Sequence, residues 1–319
     1  MRSITTCYSE HAIRVSDSYC SGPSLQSYRS PSQSRPSSPG PAEITNTYRA
    51  RLCSGKQLLI SLTWRNSFLR QGLIIDFSDQ ASRESPARGS PKQLRKTKGS
   101  KSFQCSGLVI DVSWDLTFAR FQGAPEPVSG FYVIVQADSK VVLRLGDAYD
   151  DDEDDEEKLL DEKRPKTGNL EFALISRSEQ FMGGSTYSTR AKFGRNGAAR
   201  DHEVHIKCGQ DEEEVDGAPA TPVLSVFVDG KRMFRVQRLR WNFRGNQTIF
   251  VDGLLVDMMW DVHDWLFGPR FGYAVFMLRT RSGLDSRLWL EEKNLQGNEL
   301  EKVEFSLLIC ACNSSPSPN

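Results

Sequence analysis

The sequence predicts an all-β fold, a large antiparallel β-sandwich or barrel-like domain. Short segments in which apolar and polar residues alternate recur along the chain, and Gly, Asp, Asn and Ser separate them. Helical periodicity is not sustained anywhere for more than about two turns. The 319 residues are enough for one large β domain or two smaller ones, and we predict a single domain from 46 to 312.

The predicted strands follow one another through short connections. In chain order they lie in TYRARLC, KQLLISLTW, QGLIIDF, GLVIDVSW, GFYVIVQ, VVLRLGD, LEFALISR, STRAKFG, HEVHIKCG, LSVFVDG, KRMFRVQRLRW, NQTIFVDG, LLVDMMW, YAVFMLRTR, SRLWLEE and EFSLLICAC. Ser54-Gly55, Asp229-Gly230 and Asp252-Gly253 separate successive apolar runs, and Asp-Gly in this setting favours a tight β-hairpin. A series of short strands fits an all-β plan better than an α/β plan.

One phrase of the sequence occurs twice, as GLVIDVSWDLTFARF at 107–121 and GLLVDMMWDVHDWLF at 253–267. In both copies apolar residues occupy every second position, as in a half-buried strand. Trp114 lies on the apolar face of the first copy and Trp260 on that of the second. The two copies are therefore expected to occupy equivalent positions in the fold.

The repeat extends beyond this phrase and predicts an internal duplication. The order hairpin, Trp, strand, repeated phrase, hairpin occurs twice, with Trp64 and Trp241 in corresponding places. We predict two similar β units, roughly 46–146 and 222–293, joined by the strands between them.

Both ends of the chain are predicted to be disordered, residues 1–45 as a Ser/Pro/Arg-rich tail and residues 313–319 as a short one. Such compositions bury too little apolar surface to offset the entropy of ordering. Ser30 and Ser38 precede prolines, the context that proline-directed kinases use, so they are candidate regulatory residues; the alternative is an inert tail.

Two charged segments interrupt the strand pattern. Residues 79–101 are rich in Lys and Arg and contain the Ser-Pro pairs of Ser85 and Ser90, so we predict a long solvated loop with two more candidate regulatory residues. Residues 147–167 begin with a block in which nine of eleven residues are Asp or Glu, which predicts an exposed acidic insertion.

Charge and cysteine content limit the classes of function. The 41 Lys and Arg balance the 41 Asp and Glu, so nucleic acid is an unlikely partner on net charge. No apolar run approaches the roughly 20 residues of a membrane-spanning helix, so we expect no membrane association. The seven cysteines show no paired spacing and no export signal precedes them. We therefore expect reduced thiols and a cytoplasmic or nuclear protein.

Several long motifs resemble a plant-specific family known as domain of unknown function 868 (DUF868). VSWDLTFARF, PEPVSGFYV, LRWNFRGNQTIFVDG and WDVHDWLF carry the resemblance, which extends from about residue 46 to 312. It implies a plant protein of a family with no established activity, substrate or catalytic residues. No chemical role follows from it for any residue of this chain.

The densest polar cluster follows the second copy of the phrase. A glycoside hydrolase could use two of its carboxylates, with tryptophans as a sugar platform and a histidine as general base; the candidates are Asp257, Asp261, His263, Asp264, Trp260 and Trp265. Asp at the end of a strand also commonly caps a turn. Because the first copy does not repeat the histidine, the structural interpretation is favoured.

A group of three potential metal ligands is a weaker candidate. His202, His205 and Cys208 are three residues apart on a predicted strand, which puts His205 on the opposite face from the other two and predicts no metal site.

A basic and aromatic stretch could stack on single-stranded nucleic acid or could be an ordinary strand. It contains Arg238, Arg240, Trp241 and Arg244.

These patterns favour a non-catalytic β-rich binding or adaptor protein that acts on protein partners and has no cofactor. A carbohydrate-binding or glycoside-acting protein that uses the Trp/Asp cluster is the alternative, and nucleic-acid binding is a weaker one. Whether the protein has any enzymatic activity stays open at this point.

Overall fold

A computed structural model describes residues 40–66, 71–79, 91–105, 107–148, 172–193, 200–210, 221–268, 272–281 and 305–312. The described part of the chain contains nineteen β-strands and one short helix. The strands of its N-terminal portion are β1 (Glu43–Arg51), β2 (Gln57–Asn66), β3 (Gln71–Asp79), β4 (Lys92–Leu94), β5 (Lys98–Cys105), β6 (Leu108–Asp115), β7 (Arg120–Phe121), β8 (Pro127–Ser129), β9 (Tyr132–Ala137) and β10 (Lys140–Gly146).

The remaining elements continue the same pattern of short strands. They are β11 (Phe172–Met182), β12 (Thr186–Lys192), β13 (Asp201–Gln210), β14 (Pro222–Val228), β15 (Lys231–Val236), β16 (Arg244–Val251), β17 (Leu254–Asp261), α1 (His263–Phe267), β18 (Tyr273–Thr280) and β19 (Ser306–Cys312). The predicted all-β class is confirmed. The residues described above belong to one compact unit.

One large sheet is the central element of the fold. Its nine strands have the order β16-β17-β18-β19-β11-β1-β2-β3-β4. Neighbours are antiparallel except for β11 and β19, which run parallel. Two four-stranded antiparallel sheets, β10-β9-β6-β5 and β12-β13-β14-β15, accompany it, and β7 and β8 pair with each other. In the described part of the chain each sheet ends in two edge strands, so the architecture is layered and open.

The two smaller sheets divide the molecule into two halves, each with its own hydrophobic core. In the first half, β1–β4 share one hydrophobic core with β5, β6, β9 and β10. In the second half, β16–β19 share another core with β12–β15, and Phe181 of β11 belongs to it. The long sheet is continuous across both halves, and β11 is the strand at which they meet.

Alternation of apolar residues explains why the strands pack as they do. In β1 the side chains of Ile44, Asn46, Tyr48 and Ala50 are buried while their neighbours are half exposed. Because successive side chains in a strand point to opposite faces, this pattern places one face of β1 against the second layer. Asn46 differs from the other buried residues of β1, because it is a polar residue at a position where the alternation places an apolar one.

The two copies of the repeated phrase occupy equivalent positions in two antiparallel runs of four strands. The strand with the first copy of the phrase, β6, is second from the edge in the antiparallel run β5-β6-β9-β10. The strand with the second copy, β17, is second from the edge in the run β16-β17-β18-β19. Each is hydrogen-bonded to the strand before it through a tight hairpin.

The predicted limits of the duplication are wrong. β12 and β13 complete the second core and do not merely join two units. Trp64 and Trp241 are not equivalent, because Trp64 lies in β2 and is 3% exposed, whereas Trp241 follows β15 in a turn and is 84% exposed.

Two predicted boundaries also need correction. The strand β1 begins at Glu43, inside the segment predicted to be a disordered tail, because Ile44 is fully buried. The segment predicted as a solvated loop at 79–101 contains β4 and the start of β5, since Leu94 is anchored in the first core. Most of the predicted acidic insertion (149–167), residues 1–39, the SRLWLEE segment and residues 313–319 lie outside the described residues.

The single described helix, α1, was not expected from the sequence; its five residues are too few for a periodic pattern. Among the residues that the structure describes, no helix has the length and apolar character needed to cross a bilayer.

Candidate functional site

A cavity of about 520 Å³ lies where the two halves meet. Its floor includes Ile44 of β1 and Arg177 and Glu179 of β11. One wall is the segment 122–128 from the first half, and the opposite wall comes from β12 and β13 of the second half. We call it the seam cavity. Sites between structural units are a preferred location for ligands, and this volume is within the usual range of about 300–1,000 Å³.

Strand register brings the polar residues of the floor together. In the β1–β11 pair, Asn46 lies opposite Arg177 and Ile44 lies opposite Glu179. Residues directly opposite each other project from the same face of a sheet, so these four side chains share one face. A β-bulge between Thr47 and the next residue shifts the register beyond this point.

The guanidinium of Arg177 bridges two carboxylates. Its Nε donates to Glu179 Oε1 at 2.6 Å, and its Nη1 donates to Glu126 Oε2 at 2.5 Å. The same Nη1 also donates to Asn46 Oδ1 at 3.1 Å. Hydrogen bonds between ionised partners are the strongest type in proteins, so this arrangement fixes Arg177 in the floor of the cavity.

Two more donors complete the network around the carboxylates. Asn46 Nδ2 donates to Glu126 Oε1 at 2.5 Å, which gives both oxygens of Glu126 a partner. Thr189 of β12 donates its hydroxyl to Glu179 Oε1 at 2.7 Å. Glu179 Oε1 thus accepts from both Arg177 and Thr189.

The second carboxylate oxygen of Glu179, Oε2, has no hydrogen-bond partner among the residues that the structure describes. The Glu179 side chain is 2% exposed, and its Oε2 is buried without a hydrogen-bond partner. A buried acceptor without a partner is costly, and in native proteins it demands an explanation such as a ligand. We call the five residues of this network the Arg177 cluster: Asn46, Glu126, Arg177, Glu179 and Thr189.

The environment of the cluster determines the protonation states of Arg177 and Tyr48. Burial alone would lower the pKa of Arg177, but the charges of Glu126 and Glu179 outweigh it and raise that pKa above its ordinary value. Burial also raises the pKa of the nearby Tyr48 hydroxyl, and the charge of Glu126 adds to the increase. Arg177 therefore stays cationic and Tyr48 stays neutral across the physiological range.

The structure does not bring Asp257 and Asp261 together. Both lie on the outer face of β17, four residues apart, which separates their Cα atoms by about 13 Å. Asp257 accepts from Thr248 Oγ1 at 2.6 Å and from Arg281 Nε at 2.7 Å. Different arginines pair with the two aspartates, so each aspartate is part of its own surface ion pair.

The remaining members of that candidate cluster also have local partners. Asp261 accepts from Arg244 Nε at 2.7 Å and from the backbone N–H of His263 at 3.1 Å. His263 Nδ1 lies 2.8 Å from Asp264 Oδ1 at the start of α1. The indoles of Trp260 and Trp265 are half buried and pack against the second core.

The basic and aromatic stretch is split between a turn and a strand. Arg238, Arg240 and Trp241 lie in the turn between β15 and β16, and Arg238 has a positive φ of 52°. Arg244 is at the start of β16 and is engaged with Asp261. Trp241 is exposed, but the stretch does not form a continuous strand surface.

His202, His205 and Cys208 are on the faces that the sequence predicted, His202 and Cys208 buried and His205 on the opposite side of β13. The ring of His202 lies between two turn aspartates, with Nδ1 2.8 Å from Asp229 Oδ2 and Nε2 3.2 Å from Asp252 Oδ2. Within the described ranges, no group of three or more His, Cys, Asp or Glu side chains is arranged to hold a metal ion.

The candidate regulatory residues, Ser30, Ser38, Ser85 and Ser90, lie outside the described residues.

Sequence analysis missed all five residues of the Arg177 cluster. Asn46 and Arg177 are 131 residues apart, and Asn46 and Glu126 are 80 apart, so no local motif links them. One signal was present: Asn46 occupies a position in β1 where the alternation calls for an apolar residue. A polar residue in such a position indicates a buried partner.

The family model described as a plant protein of unknown function, DUF868, matches residues 40–313. The chain belongs to this family. The matched range includes every residue of the Arg177 cluster. A search of curated proteins and a search of solved structures each found no match. The family description assigns no activity to these residues.

Proposed function

We propose that the protein is a non-catalytic binding protein and that its seam cavity takes a small molecule with a positively charged amino group. The observation that carries the proposal is the buried Oε2 of Glu179, an acceptor without a partner among the described residues, beside a cavity that Glu179 lines. An ammonium group would donate to this oxygen and complete the network.

The charge of the cavity supports a cationic ligand over a neutral one. Its acidic lining residues outnumber its basic ones by four to two: Glu126, Glu179, Asp201 and Glu203 against Arg177 and Arg190. Asp201 has a partner outside the lining, Lys192, at 3.8 Å. Glu126 and Glu179 share the single charge of Arg177. A cation would balance the remaining negative charge, which a hydroxyl group would not.

A binding role fits the cluster better than a catalytic one. The carboxylates are tied to a permanently charged guanidinium, which cannot exchange protons near neutral pH. The network therefore keeps its charges and side-chain positions fixed, as a recognition site requires. None of its five residues is a free base next to a nucleophile.

The experiment is calorimetric titration of the full chain with putrescine and agmatine as amine probes and with myo-inositol as a polyol probe. We expect the amines to bind the wild type and the E179Q variant to bind them about 10- to 100-fold more weakly, because a charge-assisted hydrogen bond contributes about 1.5–3 kcal/mol. The Gln side chain keeps an acceptor for Arg177 and Thr189, so the fold is retained.

The matched control is E43Q, which removes a glutamate of the same strand pair that forms an ion pair with Arg65 away from the cavity. It should bind the amines like the wild type. Binding of myo-inositol with no binding of the amines would instead favour the carbohydrate-binding alternative. Equal amine affinity of the wild type and E179Q would reject the proposal.

A further inference from the structure

A second cavity, of about 560 Å³, lies in the first half. Trp64 of β2, Leu73 of β3, Leu94 of β4 and Leu116 after β6 form its apolar walls. The segment 95–98, which connects β4 to β5, forms its edge. We call it the Trp64 cavity. None of its lining residues belongs to the seam cavity.

The two copies of the phrase differ in the size of the side chains that follow the shared Trp-Asp. The residues after the shared Trp-Asp are LTFARF in the first half and VHDWLF in the second. Trp265 and Leu266 pack against the second core. The corresponding positions of the first half hold Ala119 and Arg120. Two large apolar side chains of the second half are thus replaced by a methyl group and an exposed, charged side chain.

The charged residues at the edge of the Trp64 cavity are all basic. Arg95, Lys96 and Lys98 line it, and no acidic residue does so among the described residues. Lys98 pairs with Asp115 at 2.8 Å. The side chains of Arg95 and Lys96 are exposed, and in the described part of the chain neither is in an ion pair. Among the described residues, both cationic groups are thus unpaired at the edge of the cavity, where an anion could contact them.

We propose that the Trp64 cavity binds a small apolar carboxylate, such as a medium-chain fatty acid. The apolar chain would lie against Leu116 and Phe121, the half-buried apolar residues of the lining, where burial of apolar surface stabilises the complex. The carboxylate would lie at the edge, beside Arg95 and Lys96. Cavities of this kind, apolar inside with a few polar groups at one end, are the usual form of small-molecule sites. The proposal does not depend on the proposed function of the seam cavity.

Displacement of a fluorescent probe tests this proposal. 1-Anilinonaphthalene-8-sulfonate, itself an apolar anion, is bound to the full chain and then displaced with decanoate, decanol or decylamine. We expect decanoate to displace the probe, decanol to do so more weakly and decylamine most weakly. Equal displacement by decanol and decanoate, or no displacement by decanoate, would overturn the proposal.

Charge variants provide the specificity control without disturbing the core. The double variant R95Q/K96Q should bind decanoate about tenfold more weakly or worse, since hydrogen bonds to charged groups contribute about 1.5–3 kcal/mol. The double variant K56Q/K231Q removes the same charge from two exposed residues elsewhere, Lys56 just before β2 and Lys231 at the start of β15, and should bind decanoate like the wild type. Equal affinity of R95Q/K96Q and K56Q/K231Q would reject the site.

Two further measurements distinguish ligand binding in the Trp64 cavity from ligand binding in the seam cavity. E179Q should leave decanoate binding unchanged, and R95Q/K96Q should leave amine binding unchanged. A decanoate site that E179Q abolishes would place the ligand in the seam cavity and contradict the assignment made for Trp64.

Discussion

Trp114 and Trp260 occupy the same position in two copies of one hairpin. Each lies directly opposite a glycine of the preceding strand, Gly99 and Gly245 respectively. Each donates its indole N–H to a backbone carbonyl, with N···O distances of 2.9 Å in both copies. The absence of a side chain on the glycine leaves room for the indole ring, so the glycine and the tryptophan of each copy form one packing unit.

The neighbouring aspartates repeat as well. Asp115 pairs with Lys98 at 2.8 Å, and Asp261 pairs with Arg244 at 2.7 Å. Both aspartates also accept a backbone N–H two residues ahead, at 2.9 and 3.1 Å. The Asp of the repeated phrase therefore joins the end of its strand to the first residue of the strand before it.

Substitution of these glycines should have unequal effects. A Cβ on Gly245 would come within 2.3 Å of Trp260 Cζ2, whereas a Cβ on Gly99 would be 3.2 Å from Trp114 Cζ2. We expect G245A to lower the free energy of unfolding by about 1–3 kcal/mol, the typical cost of overpacking. G99A should be close to neutral, because a small shift is offset by the reduced entropy of the unfolded chain. Urea denaturation followed by tryptophan fluorescence measures both, and equal destabilisation would contradict this packing.

The ion pair of Asp115 should make stability depend on pH in the acid range. Burial by itself would raise the pKa of Asp115, but hydrogen bonds from Lys98 and Thr117 lower it from 3.8 to about 2. Because this pKa is lower in the folded chain than in the unfolded one, the stabilisation is complete above about pH 4 and is lost as the pH falls towards about 2.

The D115N variant isolates this contribution from the other acidic groups. The difference in unfolding free energy between wild type and D115N should be largest near neutral pH and should shrink between pH 3.8 and 2. Urea denaturation of both proteins at a series of pH values measures it. A difference that stays constant through that window would show that Asp115 has no depressed pKa.

The sequence predicted local features of the fold well and distant contacts poorly. Alternation located β1, β6 and β17, and the Asp-Gly pairs located two hairpins whose Asp229 and Asp252 have φ values of 51° and 47°. These features depend on residues that are adjacent in the chain. The Arg177 cluster depends instead on the register between β1 and β11, which includes a bulge. Register between strands that are distant in sequence cannot be predicted from local alternation.

Cysteine reactivity should follow burial. Burial raises the pKa of the Cys208 thiol to about 12, and its side chain is fully inaccessible in the second core. Cys53 is exposed in the turn between β1 and β2. Because the thiolate is the reactive form, iodoacetamide at pH 8 should modify Cys53 in the folded protein and leave Cys208 unmodified. Peptide mass spectrometry measures both, and in urea the two cysteines should react alike. Rapid labelling of Cys208 without denaturant would show that the second core opens readily.

Arg177 should be far more important for stability than an exposed arginine of the same sheet. The R177M variant would leave the buried carboxylate of Glu179, and that of Glu126, without their shared cation. Removing one partner of a buried ion pair costs about 3–5 kcal/mol, since the remaining charge stays desolvated.

Arg65 provides the matched comparison for Arg177. It forms an ion pair with Glu43 on the neighbouring strand, but its side chain is 57% exposed. The R65M variant should therefore lose less than about 1 kcal/mol, as is usual for surface pairs. Unfolding free energies from urea denaturation compare the two. If R177M were no less stable than R65M, the ion pairs of the Arg177 cluster would not stabilise the fold, and the unsatisfied oxygen of Glu179 would lose its significance as a ligand acceptor.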